Sequence, residues 1–547
     1  MNTRWTPDQL KAIHTTGQNL LVSAAAGSGK TAVLAARCAY LVCDAPDPCD
    51  VTELLVVTFT NAAADEMKKR IGQAIAQKAA GSDSPHLQRQ MLLAGAAQIS
   101  TIHSLGQSII RRHFHELGVD PAFRLLDQDE ARLLRSELVD DLLESRFDDE
   151  TATDFRKLVD LYGNGIPHAV AGLVLGLHAK LSSLIDRDAW LRDRRAKLVE
   201  AADKPLNQSE IGLAVINAAR EQIRTLADSA ARLERIIDTY PTLGAYGVHV
   251  RGIESHLRTW EETIGVSSWD ALAADIVAFK PETIPRLKAS PEKEAMQAKI
   301  NGLKDRIKTF VGGGLFAFAE NQLREGVRGT IWVTDQITSL VTDFDSAYTS
   351  AKRDAGTLDF NDLEHLALRL LQEPGSDPPA PSRIAREYQR QFRYVMVDEY
   401  QDVNQVQDTL LALLGRERSH FAVGDVKQSI YRFRQADPRR FIDRYVRYKK
   451  EKPAPGEVID LQKNFRSRAP LLEALNGVFE SLMTKESAEV AYSASQRLVP
   501  SATYADGDGL FFGTPIELHV IEKQAPGAAR EFDNDEREAI IAPRPQR

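Results

Sequence analysis

Residues 20–34 read LLVSAAAGSGKTAVL. An apolar run passes into small residues, then Gly27-Ser28-Gly29-Lys30-Thr31, then an alanine-rich stretch. That order predicts a strand, a tight loop and a helix. Backbone N–H groups of a glycine-rich turn, aimed at a helix N-terminus, bind anionic phosphate oxygens. In such a cradle Lys30 reaches the β- and γ-phosphates and the Thr31 hydroxyl takes a Mg²⁺ ion. The usual G-x-x-x-x-G-K-[ST] pattern opens on glycine, and Ala24 stands there instead. Alanine adds one methyl group, tolerable where φ is negative. The competing reading is an Ala/Gly/Ser turn with an incidental lysine; the position between strand and helix argues against it.

A phosphate loop needs a strand-end carboxylate for its metal. YVMVDEYQD (394–402) places Asp398 and Glu399 at the C-terminal end of an apolar run, where ligands bind in open α/β sheets. Asp398 is expected to hold the metal through water, and Glu399 to orient and deprotonate an attacking water. In VGDVKQSIYRFRQADP (423–438), Gln428 falls just beyond a strand, placed to report the γ-phosphate. In LQKNFRSR (461–468), Arg466 follows a Pro-rich linker. An arginine supplied across a domain cleft stabilises charge in phosphoryl transfer and makes hydrolysis sensitive to closure.

The bulk numbers fit this frame. The chain has 547 residues, enough for roughly three or four domains of about 150 each. It is 43% hydrophobic and 27% charged, with a formal charge of -8, so any nucleic-acid site must be a local patch. The start, MNTRWTPDQL, has neither a basic n-region nor an apolar h-region. No window approaches the ~18 apolar residues of a membrane span. A cytoplasmic protein with no membrane partner is the expectation. Cys38, Cys43 and Cys49 lack C-x-x-C spacing and read as one helix-face and two loop thiols, all reduced.

The texture of the chain gives an α/β class with an interruption. Residues 1–120 alternate strand and helix signals and 121–350 carry amphipathic helical spacing. Strand signals return over 351–455. A further α/β domain is expected to start at 456, after EKPAPGE, and to run to 547. The motif YADGDGLFFGTPIELHVIEK (504–523) opens new β structure in that last part.

Together these segments resemble superfamily 1 DNA helicases of the UvrD/RecB type, and within them the AddA group. The resemblance rests on ordered motifs: WTPDQLKAI (5–13), VSAAAGSGKT (22–31), TFTNAAADEMKKR (58–70), STIHSLGQSIIRRHF (100–114), LDFNDL with VDEYQDVNQVQ (358–363, 397–407), VGDVKQSIYRFRQADPRRF (423–441) and LQKNFRSR. It covers most of the chain and is weakest in the helical insertion. It implies a RecA-like P-loop NTPase domain (1A) carrying a large helical insertion (1B), then an incomplete second RecA-like domain (2A) that supplies Arg466. Gln9 reads the adenine edge, and Ala24, Ala25, Ala26, Gly27, Ser28, Gly29, Lys30 and Thr31 hold ATP with Mg²⁺. Hydrolysis drives 3′-to-5′ movement on single-stranded DNA, opening duplex DNA in break repair and recombination, with an AddB-like partner subunit for a full-length form.

The same resemblance suggests DNA contacts. Thr60 and Asn61 are expected to donate to phosphates, as is His103, although a core histidine also fits. Tyr431 and Phe433 interleave with Arg432 and Arg434, which suits base stacking and cation–π contact; a packed aromatic pair with surface arginines is the other reading. Lys68, Lys69 and Arg70 fit either DNA contact or a solvated helix face. Asp359 reads as a helix N-cap rather than a nuclease ligand. Motifs V and VI and a nuclease signature are not found before Arg547. The expectation is therefore a truncated chain that binds nucleotide and turns it over poorly alone. A UvrD-like repair helicase and a binding module without motor activity are the alternatives.

Overall fold

The computed structural model describes residues 5–430, 435–484, 492–502 and 504. Among them the strands are, in chain order, β1 (Leu20–Ala24), β2 (Leu54–Thr58), β3 (Gln98–Thr101), β4 (Arg124–Leu125), β5 (Thr357–Leu358), β6 (Tyr394–Val397), β7 (His420–Gly424), β8 (Glu457–Leu461), β9 (Lys463–Asn464) and β10 (Val499–Pro500). Six of these form one parallel sheet in the order β3-β2-β6-β7-β1-β8.

Both faces of this sheet are covered, which explains why its strands read as unbroken apolar runs. Leu20 and Val22 point into one core with Leu54, Val56, Met396 and Phe421. Leu21 points into the other with Leu55, Val57, Val395 and Ala422. The helix Lys30–Cys43 packs the first face through Val33, Leu34, Cys38 and Leu41. Cys43 is the last residue of that helix, so two of the three cysteines are helical and only Cys49 lies in a loop. All three are free thiols, and burial pushes those of Cys38 and Cys49 up to about 12.

The expected start of a second α/β domain at 456 needs correction. β8 pairs with β1 from Leu20↔Glu457 to Ala24↔Leu461, so it is the edge strand of the first sheet. The segment EKPAPGE is a loop within that unit, anchored where Glu457 N–H donates to Asn19 O at 2.8 Å. Only after Leu461 does the chain leave, to pair β9 with β10 and to form the helix Ala469–Leu482.

Between β3 and β6 the chain makes a long helical excursion. Its entry and exit are pinned by the short parallel pair β4–β5. Beside that neck Asp359 caps the helix Phe360–Leu371, accepting from Asp362 N–H at 2.9 Å. It also accepts from Tyr348 Oη at 2.9 Å and Lys352 Nζ at 3.3 Å, all buried. The excursion has two cores of its own. One gathers Val139, Leu143, Phe155, Val174 and Phe344. The other gathers Ile223, Tyr246, Leu257, Trp260 and Ile300. The 35-residue helix Glu320–Asp354 reaches both, with Leu323 at the second and Val333 to Tyr348 at the first. No single helix among the described residues is long and apolar enough to cross a membrane.

Candidate functional site

Strand register decides which loops meet. β7 lies between β1 and β6, with Ser23 opposite Gly424 and Val397 opposite Ala422. The loops after β1, β6 and β7 therefore emerge side by side from the carboxyl edge. These loops carry Ala25–Gly29, Asp398–Glu399 and Asp425–Gln428.

The first loop is shaped as a cradle. Gly27 and Gly29 sit at φ of 68° and 84°, in the left-handed region that glycine alone adopts without strain. A Cβ on Gly27 would stand 2.7 Å from Asn464 Nδ2. Asn464 holds the loop from outside: Nδ2 donates to Ala26 O at 2.7 Å, and Phe465 N–H donates to Gly27 O at 2.9 Å. Ser28 Oγ is buried with no hydrogen-bond partner among the described residues. An orphaned hydroxyl inside a turn that opens onto a helix N-terminus fits a polyphosphate. Ala24 ends β1 and Ala25 is buried; Thr31 follows Lys30 in the first turn of the helix.

Gln9 lies against this loop. Its Nε2 donates to Ser28 O at 2.9 Å, and its Oε1 accepts from Thr6 N–H at 2.9 Å as half of a capping box. Arg37, buried in the phosphate-loop helix, donates to Ala12 O at 2.8 Å and so ties the Gln9 helix to it.

Lys30 Nζ stands 3.1 Å from Glu399 Oε2 and 3.1 Å from Gln428 Oε1. Glu399 adopts φ 52°, an uncommon conformation for a non-glycine residue that clusters at functional sites. Its Oε2 also accepts from Gln401 Nε2 at 2.9 Å. Gln428 Nε2 in turn donates to Asp425 Oδ2 at 2.9 Å. Burial, and then the charge of Glu399, push the Asp398 carboxyl up to about 6. Burial, first, and Glu399 also push Asp402 up to about 6. The charge of Lys30 opposes both rises without cancelling them.

Thr31 and Asp398 offer one hydroxyl and one carboxylate. No cluster of three or more His, Cys, Asp or Glu forms a metal site among the described residues. A partial protein shell suits Mg²⁺, which keeps waters and phosphate oxygens. Arg466 is exposed just outside the cradle, with its Cβ 3.0 Å from where a Gly27 Cβ would be.

A second feature adjoins the acid pair. A groove of about 740 Å³ runs between the sheet edge and the helical excursion, lined by Thr58, Phe59, His103, Phe360, Arg132 and Arg135 among others. Of the expected DNA contacts, His103 faces it, its ring edge-on to Phe360 at 4.8 Å. Thr60 and Asn61 are exposed at the start of the helix Asn61–Ala80, where Thr60 Oγ1 caps Ala63 N–H. Arg70 pairs with Glu66 on that helix's exposed face, favouring the solvated reading there. Tyr431, Phe433 and Arg434 lie outside the described residues, as does most of 504–523. Phe360, Arg132 and Arg135 escaped the sequence reading. Phe360 sits inside LDFNDL, where attention fell on the aspartates; the two arginines look like any polar helix face.

Residues 5–449 match the family described as UvrD/REP helicase N-terminal domain. The chain is 36% identical over 518 residues to an ATP-dependent helicase/nuclease subunit of Bacillus thuringiensis, covering 92% of this chain and 41% of that protein. The like-named proteins of Ruminiclostridium cellulolyticum and Clostridium kluyveri are 33% and 31% identical, over 95% and 98% of this chain and 43% and 44% of theirs. The chain thus spans less than half the length of these relatives. With Lys30, Glu399 and Gln428 brought together at the carboxyl edge of its sheet and residues 5–449 matching the family model, it belongs to the UvrD/REP helicase family, through that family's N-terminal domain.

Proposed function

We propose that this chain is the ATP-binding half of an AddA-type DNA helicase. It would bind ATP with Mg²⁺ between the Lys30 loop and the Asp398–Glu399 pair, and DNA in the adjoining groove. The observation that carries the reading is the meeting of Lys30, Glu399 and Gln428, whose side chains touch across 369 and 398 residues of sequence.

Each residue has a definite task. Lys30 leaves Glu399 to reach the terminal phosphates, and the freed carboxylate then orients and deprotonates a water. Gln428, already bonded to Lys30, stands where it senses the γ-phosphate. Gln9 contacts the adenine edge, exchanging its bond to Ser28 O. The Thr31 hydroxyl and the Asp398 carboxylate would hold Mg²⁺, which supplies charge neutralisation to the phosphates when bound. Arg466 reaches the same phosphates when the segment after β8 closes. Thr60, Asn61, His103, Tyr431, Phe433 and Arg434 would contact single-stranded DNA, with 3′-to-5′ movement, recombinational repair, an AddB-like partner and a cytoplasmic setting belonging to the whole motor.

Single-turnover ATP hydrolysis, with and without a single-stranded oligonucleotide, tests the proposal. Slow hydrolysis that Glu399→Gln abolishes is expected. Hydrolysis that survives Glu399→Gln would contradict it.

A further inference from the structure

Glu364 is a buried carboxylate that none of the roles above uses. It sits on the helix Phe360–Leu371 at the floor of the groove, which Asn404 and Gln407 also line, and is 4% exposed. Three side chains from two other elements converge on it. His103 Nε2, on the groove, is 2.9 Å from Oε1. Gln407 Nε2 donates to the same oxygen at 2.6 Å, and Asn404 Nδ2 donates to Oε2 at 3.0 Å. Burial acts to raise this carboxyl, but His103, Asn404 and Gln407 together hold it below the usual carboxylate range.

The far side of this cluster leads directly to the acid pair. Asn404 caps the helix Gln405–Leu414, its Oδ1 accepting from Gln407 N–H at 2.8 Å. Between Glu399 and Asn404 the chain is one tight turn, with Asp402 N–H on Glu399 O at 2.9 Å and Val403 N–H on Tyr400 O at 3.3 Å. The turn is clamped from β7's side, where Asp425 N–H donates to Gln401 Oε1 at 2.9 Å. A shift of His103 therefore has a route to Glu399, first through the side-chain hydrogen bonds at Glu364 to Asn404 and then through the backbone of the hydrogen-bonded turn. Buried, fully satisfied networks of this kind are rigid.

Resting on the functional reading above, we propose that Glu364 is a positioning residue that couples the groove to the nucleotide site by holding His103 to Asn404 and Gln407, at the end of the turn that starts with Asp398 and Glu399. DNA against His103 and nucleotide against Glu399 then bias the same rigid body. Glu364, 4% exposed at the groove's floor, acts through the side chains it holds. Its removal disconnects two sites that each remain intact.

Equilibrium binding of a fluorescent ATP analogue with Mg²⁺, measured with and without saturating oligo(dT), tests this in the full 547-residue chain. The wild type is expected to change its nucleotide affinity by about fivefold or more when oligo(dT) is bound, the ordinary size of a coupling between sites. Glu364→Gln keeps the shape but turns an amide N–H toward donors; it should bind each ligand alone and lose the linkage between them. Asn404→Asp is the second variant. It retains an N-cap side chain yet replaces the donor facing Glu364, so it should lose the linkage with the helix start preserved. Linkage retained in both variants overturns the inference while leaving the functional reading in place, as does a wild type that binds both ligands without linkage. A wild type that binds neither ligand overturns both.

Discussion

Lys30 Nζ and Glu399 Oε2 lie 3.1 Å apart at the carboxyl edge of the sheet, with the lysine 11% and the glutamate 35% exposed in their side chains. In the proposed function, the lysine assigned to the phosphates thus begins in the grip of the carboxylate assigned to the attacking water. The pair must separate before either acts. Replacing Glu399 by Gln should therefore tighten nucleotide binding while stopping hydrolysis. A part-buried pair still in reach of solvent contributes about 1 kcal/mol, so a gain of about fivefold in affinity is expected, read by titration with an ATP analogue and Mg²⁺.

Asp398 sets a pH dependence. Its carboxyl is raised to about 6 in the fold, first by burial and then by Glu399. The folded chain therefore holds the ionised form at a cost that is fully present above about 6. That cost vanishes below the ordinary aspartate value near 3.8, where both folded and unfolded forms are protonated. Asp398→Asn should stabilise the nucleotide-free chain by about 1–3 kcal/mol at neutral pH, with no gain at pH 3.5. Urea unfolding at the two pH values measures it. The same variant should lose the Mg²⁺ dependence of nucleotide binding.

Gly27 combines a left-handed φ of 68° with a Cβ position 2.7 Å from Asn464 Nδ2. Gly27→Ala should destabilise the chain by about 1–3 kcal/mol through backbone strain and displacement of that clamp. Nucleotide affinity should fall with it. By contrast Gly81→Ala, at negative φ with open space around its Cβ position, should change neither; denaturant midpoints for the two variants give the comparison.

The buried lysine at the neck is structural. Lys352 Nζ meets Asp359 Oδ2 at 3.3 Å and Asp362 Oδ2 at 2.6 Å. Lys352→Met leaves the buried Asp359 carboxylate facing the part-buried Asp362 and should cost about 2–4 kcal/mol. Thermal denaturation will report this. Nucleotide affinity of the folded fraction should stay unchanged, because the cluster lies at the excursion's neck rather than at the loops after β1 and β6.

Much of this was legible in the chain itself. The strand–loop–helix at 20–34 needed only an apolar run, two glycines and a lysine, because local chemistry dictates that turn. The acid pair at 398–399 was equally plain, since a strand end fixes its position. β8 was misplaced because a Pro-rich segment looks the same whether it links domains or loops within one; only the pairing of Glu457–Leu461 with β1 decides. Glu364 was invisible for a related reason. On a helix with apolar residues all around, one glutamate reads as surface, and its three partners come from positions 103, 404 and 407. Burial of a charge is a tertiary property with no local signature.

The central claim is that a triphosphate seats between the Lys30 loop and the Asp398–Glu399 pair. Calorimetric titration of the wild-type chain and of Lys30→Ala with a non-hydrolysable ATP analogue and Mg²⁺ tests it most directly. Saturable one-to-one binding is predicted in the wild type, disappearing in Lys30→Ala at equal folded content. Equal binding by the two proteins, or none by the wild type, would contradict it.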